Sequence, residues 1–456
     1  MTAPEASSPS AADPATPPAS WRDGLAVYLQ RRVLIVLLLG FSSGLPLALS
    51  GSTLLIWMRE SGVDLGTIGL FALVGTPYTL KFLWAPLVDA LHVPLFTRRF
   101  GRRRGWLLLS QLLLIAAILL LALADPARSP AFVALGALLV ATTSSTQDIV
   151  VDAFRVESLP ESEQAAGMAS YVAAYRIGML VSTAGALFIV SAFEGSGLPR
   201  ASAWMWGYVV MAAMVLIGTA TALAATEPEQ SVRAEAATAA ETAFVRIAQA
   251  AVGAFSEFLA RKDAFAALCF VVLFKFTDAF SGTMTAPFVI DLGFSRNDYA
   301  AIVKGVGLAA TLIGGFAGGF VARRYSLGAS LWIGGVLQAV ANLSFSWLAL
   351  IGVNEWALAL AISAENFTSA IGTVIFVAYL SALCQNPLHT ATQYALLTAL
   401  AAVGRTYLSS GAGYVAKATG WPLFFAVCVV VAVPGLILLA LLQRRGHFAE
   451  LEAAKV

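Results

Sequence analysis

Two stretches, Val172–Gly185 (VAAYRIGMLVSTAG) and Ala401–Tyr414 (AAVGRTYLSSGAGY), lie half a chain apart and align with Arg176 on Arg405. Each sets an arginine inside an apolar run, about a dozen residues from the end that carries the basic loops, which at a rise of about 1.5 Å per residue is roughly 15–18 Å deep. That is the middle of a bilayer. A charge at the centre of a lipid-facing helix costs roughly 2.5–3.5 kcal/mol on insertion scales. A repeated midplane arginine therefore implies two related halves facing each other across a polar space, as in a parallel-repeat transporter.

The composition agrees. Of 456 residues, 59% are hydrophobic and 12% charged, too few polar side chains to cover a soluble globule. A membrane span needs about 20 largely apolar residues. Such runs occur at Val33–Trp57, Thr67–Ala90, Trp106–Ala124, Ala131–Phe154, Ala166–Phe193 and Trp204–Ala225, then at Ala264–Phe288, Tyr299–Val321, Ala329–Ile351, Trp356–Leu383, Tyr394–Val415 and Trp421–Leu442. The expected fold is an all-α membrane protein of twelve transmembrane helices in two six-helix bundles, residues 23–225 and 264–443. Residues 1–22 form an Ala/Pro/Ser-rich tail without apolar periodicity, expected to be disordered. Residues 226–263 form a hydrophilic linker with Phe244, Ile247, Ala251, Phe255 and Phe258 at helical spacing, as an interfacial amphipathic helix would have them. Residues 444–456 are a second tail.

Cations set the orientation. The loops on the side of both termini hold eighteen Lys and Arg, including Arg98, Arg99, Arg102, Arg103 and Arg104, whereas the opposite loops hold only Arg59, Arg128, Arg200, Arg296 and Lys417. The termini are therefore expected to be cytoplasmic, in a multi-pass inner-membrane protein.

Within the spans remain Lys81, Arg176, Lys275, Lys304 and Arg405, with Asp89, Asp148, Asp152, Asp278 and Glu365. Ten charges cannot all face lipid, so they must face a shared aqueous cavity or one another. Helical spacing puts Ser145, Asp148, Asp152 and Arg155 on one stripe, Glu365, Ser369 and Gly372 on a second, and Lys275 one turn from Asp278. By depth, Lys81, Arg176, Lys275 and Arg405 are candidate substrate-binding cations, an excess that favours an anionic substrate. Lys304, close to the far end of its run, fits a snorkelling lysine as well as a cavity one. The histidines lie outside the apolar runs, so a proton carrier must be a carboxylate. Asp148, Asp278 and Glu365 qualify, with Glu365 first because no cation shares its helix. Asp89 and Asp152 stand at cytoplasmic ends as gating residues, where salt bridges to loop arginines are the plainer reading. Arg102, Arg103 and Arg104 belong to a gating loop. No spacing of His, Cys, Asp or Glu reads as a metal site, and neither a zinc-protease motif nor a nucleophile elbow is present, which argues against an enzyme. A channel would more naturally ring one pore with like charges.

The loop "FGRRRG" after Asp89 resembles the signature between the second and third helices of the major facilitator superfamily, although "ALHVPLFTRRF" is inserted here. Within that superfamily, "GFSSGLPLALSGSTLLIWM", "KFLWAPLVDA", "STQDIVVDAFRVESLP", "LFKFTDAFSGTMTAPFV" and "ENFTSAIGTVIFVAYLSALC", in order from about Gly40 to Leu442, resemble the AmpG-type anhydromuropeptide permeases. The resemblance implies the major facilitator fold and proton-coupled import of GlcNAc-1,6-anhydroMurNAc peptides, in cell-wall recycling and the induction of β-lactamase. A monomer that uses no cofactor beyond the proton gradient and binds no nucleic acid is expected. Gln147 and Asn366 suit the amides and sugar hydroxyls of such a ligand. Another organic anion, a coenzyme A thioester or a siderophore, is the alternative substrate.

Overall fold

The computed structural model describes residues 26–228, 263–383 and 390–453, and these are helical throughout, without a strand. Among the described residues, ten helices are long and apolar enough to cross a membrane. In chain order the elements are α1 (Arg31–Glu60), α2 (Leu65–Leu70), α3 (Thr76–Leu80), α4 (Ala85–Ala90), α5 (Phe96–Phe100), α6 (Arg102–Ala122), α7 (Pro130–Ser158), α8 (Ala166–Gly195) and α9 (Arg200–Ala224). After the linker come α10 (Ala264–Asp291), α11 (Arg296–Arg324), α12 (Leu327–Ile351), α13 (Glu355–Leu383), α14 (Thr390–Tyr407), α15 (Ala412–Thr419), α16 (Trp421–Arg444) and α17 (His447–Ala453). Large apolar side chains such as Phe316 and Trp356, 83% and 87% exposed, cover the outside, as lipid contact requires.

Two of the apolar runs are not continuous helices. Between Leu65 and Ala90 the chain forms three short helices joined by 3₁₀ turns at Phe71–Gly75 and Lys81–Leu83, and Pro77 and Pro86 begin the second and third. Proline has no amide hydrogen to donate to the preceding turn, so each new helix restarts there. The second interruption, Leu408–Gly411, separates α14 from α15.

Other irregularities are gathered around the middle of the molecule. Gly51 leaves helical geometry (φ −100°, ψ −114°) inside the π-helical stretch Leu49–Thr53, and Val181–Gly185 and Tyr299–Val306 are also π-helical. Widened turns of this kind free backbone carbonyls and recur at functional sites. The Thr53 hydroxyl donates to one freed carbonyl, that of Ser182, at 2.7 Å.

Close helix approach relies on missing side chains. A Cβ at Gly44 would overlap the Tyr175 carbonyl, which brings α1 against α8. A Cβ at Gly413 would overlap the Leu65 carbonyl, which brings α15 of the second segment against α2 of the first.

The C-terminal residues, expected as a tail, include the helix α17. Its buried His447 lies 3.2 Å from the Tyr379 hydroxyl, and Arg445 pairs with Asp263 at 2.5 Å. Residues 1–22 and most of the 226–263 linker, with its expected amphipathic helix, lie outside the described residues.

Candidate functional site

A central cavity of about 630 Å³ is lined by both segments. The first contributes Ser50, Gly51, Phe71, Tyr78, Arg176 and Thr183, the second Asp278, Thr285, Tyr299, Lys304, Glu365, Asn366 and Arg405. The bent stretches of α1, α8 and α11 all border it, so the irregular backbone found above is cavity wall.

Arg176 and Arg405 reach this space together, as the repeat led one to expect. Tyr175 lies within electrostatic reach of both guanidinium groups. Neither arginine forms an ion pair with a carboxylate of the described residues, and both are exposed to the cavity. Two exposed guanidinium forks without carboxylate partners among the described residues are prepared to take a carboxylate in the bidentate manner.

The acidic wall is formed by α10, α11 and α13. Asp278 pairs with Lys275 and accepts from the Ser369 hydroxyl at 2.9 Å. Lys275 lies behind the lining and also donates to Thr373 at 3.0 Å. Glu365 lines the cavity within electrostatic reach of Asp278, Lys275 and Lys304. Asn366 accepts from the Thr311 hydroxyl at 3.1 Å and donates to the Ile362 carbonyl. Lys304, which depth alone could not place, faces this wall, with its ammonium 5.5 Å from the Tyr299 ring centre. The wide turns of Tyr299–Val306 rotate the helix away from 3.6-residue periodicity, so helical spacing did not bring Lys304 inward.

Lys81, Gln147, Asp148 and Asp152 do not line the cavity. They form a separate cluster inside the first segment. Asp148, 6% exposed, faces Ser43 and lies within reach of Lys81 and Asp152. Gln147, fully buried, donates to the Ser43 hydroxyl at 3.3 Å. Lys81 lies on the 3₁₀ turn between α3 and α4, and that break turns it toward α7 and away from the cavity.

The cavity is sealed at one end by ion pairs between the segments. Arg296, 7% exposed, donates at 2.6 Å to both Glu60 and Glu194 and lies 5.6 Å from the centre of the Trp204 ring. Trp204 itself donates to Glu60 at 3.1 Å. Beside this plug, Arg59 pairs with Asp291. Leu55 and Tyr299, about one turn below Arg59 and Arg296, already belong to the cavity lining.

At the other end, Arg103 donates to Glu157 at 3.0 Å, and the amides of Arg103 and Arg104 donate to Glu227 at 2.8 and 3.0 Å. Arg102 lies 3.9 Å from Glu157, and Arg104 donates to the Ala222 and Leu223 carbonyls. The side chain of Asp89 lies outside the described residues.

This architecture has known relatives. The family model described as Major Facilitator Superfamily matches residues 34–408. The chain is 39% identical over 416 residues to a protein of Escherichia coli K12 named anhydromuropeptide permease, covering 91% of this chain and 80% of that one. A Rickettsia felis protein bearing the name AmpG 4 is 33% identical, covering 92% and 98%. Among solved structures, a D-xylose–proton symporter superposes with a TM-score of 0.65 at 14% identity, covering 90% of this chain and 97% of that one. A POT family transporter in complex with 5-aminolevulinic acid superposes at 0.67 and 12%, covering 91% and 96%. With the family model spanning most of a multi-pass helical chain folded round a central cavity, the protein belongs to the Major Facilitator Superfamily and is a transporter, not an enzyme.

Proposed function

We propose that the chain imports anhydromuropeptides from periplasm to cytosol, driven by the proton gradient. The observation that carries this reading is the pair of cavity arginines, Arg176 and Arg405, without carboxylate partners among the described residues, in a chain 39% identical to a named anhydromuropeptide permease. Stem peptides carry several carboxylates, which two guanidinium forks can grip, while Asn366 and the cavity hydroxyls suit amides and sugars.

In this reading the broken runs at 65–90 and 390–419 complete twelve spans in two six-helix halves, with both termini cytoplasmic. The Arg59 end is then periplasmic, and the state described is closed to the periplasm. Substrate is handed over by rocking of the halves about the midplane site. Glu365 carries the proton, because it lines the cavity beside Asp278 without an ion pair among the described residues.

The experiment is uptake of radiolabelled anhydromuropeptide into energised right-side-out vesicles, with the disaccharide lacking its peptide as competitor. Wild type should concentrate the label and collapse to equilibrium with a protonophore. Glu365→Gln mimics the protonated state, so it should lose uphill accumulation and keep exchange between unenergised compartments. A wild type that ignores the protonophore overturns the coupling, and one that takes up no label overturns the substrate.

A further inference from the structure

We propose that Asp148 is a second proton-carrying site, buried in the first segment and reached from the central cavity through the hydroxyls of Tyr78 and Ser144. The inference rests on the proton-coupled reading above and extends it to groups outside the cavity.

Three observations lead to it. First, Asp148 Oδ1, Gln147 Oε1, Ser144 Oγ and Tyr78 Oη are all buried without a hydrogen-bond partner among the described residues. An unsatisfied buried polar group costs about 1–3 kcal/mol, so four in one neighbourhood need a reason. Second, they converge. Tyr78 faces both Ser144 and Asp148, Ser43 links Asp148 with Gln147, and Ser144, Gln147 and Asp148 follow one stripe of α7. Third, Tyr78 lines the cavity, whereas Ser144 and Asp148 do not. The phenol is therefore the point at which the cluster meets the space that takes up substrate.

The groups facing Asp148 are Ser43 of α1, Tyr78 of α3, Lys81 of the following turn, Asp152 of α7, and Tyr171 and Tyr175 of α8. Tyr175 also faces Arg176 and Arg405. A carboxylate bound at those arginines thus changes the field at a group one phenol away from Asp148. The transfer is a chain of hydroxyl hops, with a water bridging any gap too long for a direct bond. Tyr78 accepts a proton from hydronium in the cavity and releases its own hydrogen toward Ser144, which does the same toward Asp148. One O–H bond breaks on hydronium, one forms on the Asp148 carboxyl, and no other species changes charge. Once neutral, Asp148 no longer holds the Lys81 ammonium, which remains with Asp152 on the side of α7 that leads toward Arg155.

The test uses the purified full-length chain in proteoliposomes loaded with a pH-sensitive dye and supplied with labelled anhydromuropeptide, so that proton entry and substrate entry are read together. Ser144→Ala removes a relay hydroxyl without touching the cavity. It should slow substrate-driven proton entry about a hundredfold or more while exchange stays within about twofold, since proton-transferring side chains typically contribute about a hundred- to ten-thousandfold. Asp148→Asn should abolish proton entry, and Asp148→Glu should restore part of it. Normal proton entry per substrate in Ser144→Ala and Asp148→Asn, together with its loss in Glu365→Gln, overturns the second site and leaves the coupling reading standing. A wild type that moves substrate without protons overturns the coupling reading itself. If Asp148→Asn is recovered only as aggregate, Ser144→Ala and Tyr78→Phe decide by the same readout.

Discussion

The two ends of the molecule are tied in different ways. At the Arg59 end, Arg296 and Asp291 of the second segment pair with Glu60, Glu194 and Arg59 of the first. At the Arg103 end, the described pairs join neighbours of one segment: Arg103 to Glu157, the start of α6 to Glu227, and Arg445 to Asp263. A pair within one rigid body survives when the bodies rock, so it contributes to the stability of that body and is neutral toward the conformational equilibrium. A pair between bodies exists in only one state and biases the equilibrium by its whole energy. Location relative to the moving boundary, more than the number of ion pairs, should decide what each does.

The largest effect is therefore expected at Arg296. Removing one partner of a buried ion pair costs roughly 3–5 kcal/mol, because the other charges stay buried and uncompensated. Here the remainder would be two carboxylates, of which Glu194 keeps Arg200 at 3.2 Å and Glu60 loses its cation. Arg296→Gln should move the equilibrium toward opening at the Arg59 end by about a hundredfold at the lower limit of that range, a tenfold change being about 1.4 kcal/mol. Spin labels at Ser196 and Ala418, one on each segment, would report it as a longer distance population. A distance distribution equal to that of wild type would remove the latch. Adding Glu60→Gln to Arg296→Gln should recover part of the closed population, since it removes the stranded charge.

Glu157→Gln should do the reverse. It removes the carboxylate that pairs with Arg103, whose side chain is 5% exposed, at a cost of about 1–3 kcal/mol. Both partners move together, however, so the loss falls on the folded first segment. The expected outcome is a melting temperature lower by about 5 °C, with the Ser196–Ala418 distances unchanged. A shift in those distances would show that the Arg103 end also crosses the moving boundary.

Much of this was legible in the sequence, and the illegible part has a physical cause. Hydropathy reveals spans because lipid demands apolar length, and the repeat located Arg176 and Arg405 because both occupy equivalent depths in equivalent helices. Depth does not determine rotation about the helix axis. Lys81 and Lys304 lie on non-α turns, where the 3.6-residue rule fails: Lys81, expected by depth in the cavity, faces a buried acidic cluster, and Lys304, which depth left open, faces the cavity. Arg296 was counted only as a loop cation because its partners, Glu60 and Glu194, lie 236 and 102 residues away in sequence. The signal that did exist was local. Its capping box, Ser295 with Asp298, holds the start of α11 rigid and so gives Arg296 a defined direction.

The smallest effect sharpens the comparison most, because it separates location from burial. Lys417 and Asp64 also join the two segments at the Arg59 end, but at 3.5 Å and with side chains 62% and 48% exposed. An exposed pair of this kind contributes about 0–1 kcal/mol, and salt weakens it further. Lys417→Ala should therefore shift the Ser196–Ala418 distances by less than about fivefold in population, and not at all in molar salt. Asp64 has a second duty as the N-cap of α2, accepting from the Gly66 amide at 3.1 Å and from the Thr67 hydroxyl at 2.5 Å. The Thr67 hydroxyl holds the Asp64 carboxyl below its usual pKa. Since the folded value is depressed, this contribution is complete above the unfolded pKa near 3.8 and is lost as pH falls through the folded one, well outside the working range. Asp64→Ala should accordingly cost about 1 kcal/mol of helix capping at neutral pH, more than Lys417→Ala, although both break the same ion pair. If Lys417→Ala opened the Arg59 end as far as Arg296→Gln, crossing the boundary would be enough and burial would add nothing. If it opens it hardly at all, the seal is the buried Arg296 plug.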